Sequence, residues 1–220
     1  MKKRDQDILN DLLRFRCLTR DQLISLHFSQ LNNPITSCNT VLKRLRRDGQ
    51  IDVATHTQPY IYFPIPSIKK DSAKIPHFLS IAQFYIDIQH TGEIKNFIVE
   101  PKYGKDFMEP DVFMIYRKAP FFVEIQRSVY SKKVMDAKFK RYFHYYMSKE
   151  WENEAWQPKD RKVFPRILLI TTTRYELPAF SGIKILQIQD SAQFISFNSQ
   201  PVQVHKDIQI NASGIKLVGN

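Results

Sequence analysis

The sequence predicts an α+β chain in two successive parts: three helices closed by a hairpin, then a larger unit of order αβββαβ. Three observations predict it. Apolar residues recur at helical spacing in three stretches before residue 50, two short β-like runs follow directly, and a proline-bearing linker then leads into an alternation of helix, strands, long helix and strands. The boundaries read as residues 1–65 for the first part, 66–76 for the linker, 77–200 for the second part and 201–220 for a C-terminal tail.

In the first part, residues 4–16 carry Ile8, Leu12, Leu13 and Phe15 at near-helical spacing. Thr19 and Gln22 form a capping box that opens a second helix, with Leu23, Ile24 and Leu26 on its apolar side. Asn33 suits a helix cap and Pro34 the first helical position of a third helix, whose expected buried stripe is Ile35, Cys38, Val41, Leu42 and Leu45. Asp48-Gly49 ends it, because glycine accepts the left-handed conformation that closes many helices. Ile51–Ala54 and Tyr60–Phe63 read as β pieces joined by a polar loop holding His56, Thr57 and Gln58.

In the second part, a helix is expected from about Pro76 to Gln89 and a strand at Ile94–Val99. A second strand, Asp111–Tyr116, turns tightly at 117–119 into a third, Pro120–Gln126. A basic helix spans about Tyr130–Lys149, followed by strands within residues 163–173 and at Ile183–Ile188 and by a short segment, 190–197, left without a type.

Bulk properties narrow the function. The formal net charge of +11 favours a polyanionic partner, usually nucleic acid. No apolar run reaches the roughly 18–20 residues a membrane helix needs, and the spaced apolar residues of the N-terminus do not read as a signal peptide, so no membrane partner and a cytoplasmic location are expected. Cys17 and Cys38 lack partners at ligand spacing, which argues for reduced, buried thiols and against zinc.

Three helices and then a hairpin is an order that resembles the winged helix-turn-helix regulators of bacteria. The resemblance rests on element order and spacing and implies a double-stranded DNA partner read by the third helix. That helix places Thr36, Ser37, Asn39 and Thr40 in its first half, where base edges are met, and Lys43, Arg44, Arg46 and Arg47 in its second, where phosphates are met. His56 on the hairpin loop joins the expected DNA-binding set.

The αβββαβ order resembles the core of PD-(D/E)xK nuclease-like folds, carried by Pro110-Asp111 and Glu124-Ile125-Gln126. Strand alternation puts Glu124 and Gln126 on one face and Phe121, Val123 and Ile125 on the other. Asp111 lies six residues before the turn 117–119 and Glu124 five after it, so antiparallel pairing brings the two carboxylates together. Two hard oxygen ligands suit Mg2+ or Mn2+, with Glu100 as a third carboxylate and His77 as a weaker candidate. The resemblance implies a catalytic set of Asp111, Glu124 and Gln126, the last standing where that fold usually has lysine, with Lys138 of the next helix in the lysine's place. The plainer reading of Glu124 is an ion pair with a lysine of the following helix, such as Lys132 or Lys133.

The whole layout resembles the replication-relaxation family of plasmids and mobile elements. The resemblance covers residues 1 to about 175 and is carried by Leu42–Ile51, the helix opening at Pro76-His77-Phe78-Leu79, Pro110-Asp111 and residues 121–128. It implies control of replication or copy number, and paired DNA half-sites imply a homodimer. Three functions follow as expectations: a DNA-binding regulator with an idle nuclease-like half; a metal-dependent endonuclease or nickase; an adaptor docking onto a replication or mobilisation protein.

Overall fold

A computed structural model describes residues 2–199, and the expected tail 201–220 lies outside the described residues. The chain is mixed α+β, with six α-helices and two sheets among those residues.

The N-terminal elements are α1 (Lys3–Phe15), a two-residue strand β1 (Leu18–Thr19), α2 (Arg20–His27), α3 (Pro34–Arg47), β2 (Ile51–Ala54) and β3 (Ile61–Pro64). The expected capping box opens α2: Thr19 Oγ1 accepts from the Gln22 N–H at 3.2 Å, and Gln22 Oε1 accepts from the Thr19 N–H at 3.1 Å. Pro34 takes the first position of α3, but Asn33 makes no side-chain cap. Gly49 closes the helix at φ +67, a value that penalises any residue with a Cβ. β3 lies between β1 and β2 in an antiparallel sheet. The stripe of α3 is narrower than the sequence implied. Cys38, Leu42 and Leu45 are buried, whereas Ile35, in the first turn, is 54% exposed. Leu13 of α1 is likewise exposed, while Ile8, Leu12 and Phe15 are buried.

The second group comprises α4 (Ile75–Ile88), β4 (Ile94–Val99), β5 (Val112–Tyr116), β6 (Ala119–Ile125), α5 (Lys132–Ser148), a 3-10 turn at Glu150–Asn153, β7 (Arg166–Ile170), β8 (Ile185–Ile188) and α6 (Ser191–Ser199). Its five strands run in the order β4-β5-β6-β7-β8. The first three are antiparallel neighbours, and β6, β7 and β8 are parallel. The segment without an expected type is α6. Its Phe194 packs on Phe84, Tyr116 and Phe121.

Both faces of the sheet are covered, which explains why β6 is apolar on both sides up to Glu124. Phe121 and Val123 face α4 and α6, whereas Phe122 faces Phe139, Tyr142 and Tyr145 of α5. The first of these cores does not stop at the sheet. It runs on through α4 to Ile8, Phe15, Leu23 and Phe63 of the N-terminal elements. Residues 66–76 therefore connect two groups of elements that share one core. Polar ties reinforce it: Gln22 Nε2 donates to the Leu79 carbonyl at 2.9 Å, and Arg14 Nε donates to the Phe97 carbonyl at 3.2 Å.

Candidate nucleic-acid interface and carboxylate cluster

Helix α3 is held by its apolar stripe against α2 and β2, and its opposite side is open to solvent. Thr36, Asn39, Thr40, Lys43, Arg46 and Arg47 are exposed and Ser37 is half-buried. Between α3, the start of α2 and the β2–β3 hairpin lies a groove of about 690 Å³. Asn39, Lys43 and Arg46 line one wall, Arg20 and Asp21 the second, and Gln58, Pro59 and Tyr60 the third. His56 is exposed on the same hairpin loop but does not line the groove.

Arg44 is placed differently from its sequence neighbours. Its Nη2 donates to Asp5 Oδ1 at 2.8 Å, and the Asp5 side chain is only 3% exposed. This corrects its expected role, since the guanidinium fastens α3 to α1 instead of joining the free cationic side. Arg47 Nε bonds Asp48 at 3.0 Å but stays well exposed. The groove residues Arg20 and Tyr60 escaped the sequence reading. Their signal was the hairpin itself, which brings the loop back beside α2 through the Arg20 N–H to Tyr60 carbonyl bond of 3.2 Å.

At the other candidate site the ladders align the expected carboxylates. Val99 pairs with Val112, and Val112 with Val123, so the next positions, Glu100, Asp111 and Glu124, stand side by side at one end of the sheet. The Glu100 N–H donates to the Asp111 carbonyl at 2.9 Å. The side chains, however, are committed separately. Asp111 Oδ2 accepts from the Ile125 N–H at 2.6 Å, and Oδ1 bonds His77 Nε2 at 3.0 Å. Glu124 Oε1 accepts from the Tyr142 hydroxyl at 2.6 Å and Oε2 from the Lys138 ammonium at 2.5 Å. Glu100 turns to Lys74 at 3.5 Å.

The electrostatics follow from these partners. Burial pushes the Glu124 carboxyl up, against the pull of Lys138. Burial works against the Lys138 charge, but the Glu124 carboxylate overrides it and holds the ammonium above the usual lysine range. The hydrogen bond that His77 donates to the Asp111 carboxylate raises its imidazole.

The lysine of α5 that pairs with Glu124 is Lys138, one turn and more beyond the expected Lys132, which pairs with Glu176 instead. Gln126 takes no part. Its amide donates to the Tyr175 hydroxyl at 2.6 Å and to the Ser128 carbonyl at 3.0 Å. Tyr142 was missed, although its i+4 spacing from Lys138 puts both on one helix face.

As arranged, these residues do not fit a divalent cation. Among the described residues no three His, Cys, Asp or Glu side chains form a group able to hold a metal ion. Each oxygen of Asp111 and Glu124 already has a donor, and one donor is itself a cation whose charge opposes a metal. The expected set of Asp111, Glu124 and Glu100 is corrected accordingly. The carboxylate at Glu124 is balanced internally by lysine and phenol.

No helix among the described residues is long and apolar enough to cross a membrane. No family model, curated protein or solved structure matches the chain.

Proposed function

We propose that the chain is a DNA-binding regulator that docks α3 into the major groove of duplex DNA. One observation carries this reading: the side of α3 bearing Asn39, Lys43, Arg46 and Arg47 is uncovered and borders a groove whose far wall is a hairpin. The arrangement suits a winged helix-turn-helix docking mode. Asn39 offers the paired donor and acceptor that match adenine, Lys43, Arg46 and Arg47 offer cations to phosphates, and the hairpin lies where a wing follows the backbone.

The αβββαβ half serves in this reading as a nuclease-like body without cleavage activity. Supporting it are the saturated oxygens of Asp111 and Glu124 and the diversion of Gln126 to Tyr175. The resemblance to the replication-relaxation family supplies the setting, control of replication or copy number of a plasmid or mobile element, with a homodimer on paired half-sites.

The test is incubation of the protein with supercoiled plasmid in Mg2+ or Mn2+, beside Asp111→Ala and Glu124→Ala. Retardation of the plasmid without nicking supports the regulator. Nicking that vanishes in both variants replaces it with an endonuclease.

A further inference from the structure

A second cavity, of about 490 Å³, opens at the opposite end of the five-stranded sheet from Glu124, where β6, β7 and β8 begin. Its wall is aromatic, formed by Tyr146, Trp151, Trp156 and Phe164. Its rim is cationic, formed by Lys118, Arg161, Lys162, Arg166 and Lys184.

Two features separate this cavity from ordinary aromatic packing under a solvated surface. First, no carboxylate lines it, and among the described residues none of the five rim cations is in an ion pair. All five rim cations are exposed, so they concentrate positive potential over one concave opening. Second, the aromatic wall is only partly used by the core. Trp151 is buried and stacked on Tyr146 at an interplanar angle of 8°, but Trp156 and Phe164 are half-exposed. The Trp156 ring rests on Phe113, and its indole N–H has no acceptor among the described residues, so no hydrogen bond fixes the ring. Gly182 also lines it, and a Cβ there would lie 2.1 Å from the Tyr146 hydroxyl, so the glycine lets the chain pass close to that ring.

We infer that this cavity binds a nucleoside phosphate, its base stacked on the indole wall and its phosphate held by the cationic rim. A flat π-face answers the rings, an anion answers the rim, and a volume of this size accommodates one nucleotide. The same chemistry is offered by a free nucleotide or by an unpaired nucleotide of a DNA strand. The site is independent of α3 and of the carboxylate cluster.

The chain has two tryptophans, and both line this cavity, so its tryptophan fluorescence senses a ligand that enters it. The full chain is titrated with deoxyadenosine 5′-monophosphate, with a short oligodeoxyadenylate and with inorganic phosphate. The expected result is saturable quenching by the first two, weakened by salt, little quenching by phosphate, and at least about tenfold weaker binding in Arg161→Glu with Lys162→Glu. Tighter binding of the oligodeoxyadenylate identifies a strand as the ligand, and equal binding identifies the free nucleotide; both support the inference. Absence of quenching by either, or equal quenching by phosphate alone, overturns it.

Discussion

Arg44 donates to Asp5 at 2.8 Å across 39 residues of chain, joining α3 to α1 beneath the exposed cations of the same helix. The bond divides the basic residues of α3 into one that holds the helix and three, Lys43, Arg46 and Arg47, whose side chains stay exposed, Arg47 bonding only its neighbour Asp48. Arg44→Ala leaves a nearly buried carboxylate without its cation and is expected to cost about 1–3 kcal/mol in urea unfolding. Lys43→Ala, on the open side, is expected to change stability by less than about 0.5 kcal/mol. Equal costs for the two would remove the distinction.

Lys138→Met strands the Glu124 carboxylate, which is 2% exposed, and is expected to cost about 3–5 kcal/mol. Adding Glu124→Met to make the double variant is expected to recover part of that loss, since an apolar pair of similar volume replaces the ion pair while the buried Tyr142 hydroxyl loses its acceptor. A double variant no more stable than the single would show that the pair contributes little and that packing dominates.

The His77–Asp111 contact makes a pH-dependent contribution. Asp111 raises the imidazole pKa above its unfolded value, so the folded state favours protonated His77. The resulting stability is fully present below the unfolded histidine pKa, near 6.5, and is lost as pH rises through the higher folded value. NMR titration is expected to show His77 above 6.5 in the native protein and lower in Asp111→Asn. An unmoved midpoint in the variant would assign the shift to something other than Asp111.

Cys17 and Cys38 are free and fully buried, and burial pushes both thiols up to about 12. Neither is expected to react with a thiol reagent at pH 8 until the protein is unfolded. Rapid labelling of either in the native state would contradict the packing of α3 on α2 and of β1 on α4.

Much of this was legible in the sequence. β4 falls on its expected residues, and counting outward from the turn at 117–119 correctly placed Asp111 opposite Glu124, because alternation and a tight hairpin leave one register. The two-residue β1 was not legible, since no periodicity exists over two positions. The shared core was hidden by the polar stretch 66–76, yet α4 itself carried the signal: its apolar Ile75, Phe78, Ile81, Ala82, Phe84 and Ile88 spread over roughly half the helix circumference, a broader stripe than one contact face needs. Arg44 was not distinguishable from Lys43 or Arg46, because what sets it apart is an aspartate near the other end of the three-helix unit. The gathering of both tryptophans with five cations joins residues 151–166 to Lys118 and Lys184, and no local pattern announces it.

The central claim is that the open side of α3 grips duplex DNA, and salt-dependent affinity measures it most directly. Binding of the full chain to its duplex target is followed over a range of salt for the native protein and for Lys43→Ala, Arg46→Ala and Arg47→Ala combined. The account predicts affinity at least about tenfold weaker and a salt slope shallower by roughly 2–3, one phosphate contact for each cation removed, with unfolding unchanged. Unaltered affinity and slope in the triple variant would contradict it.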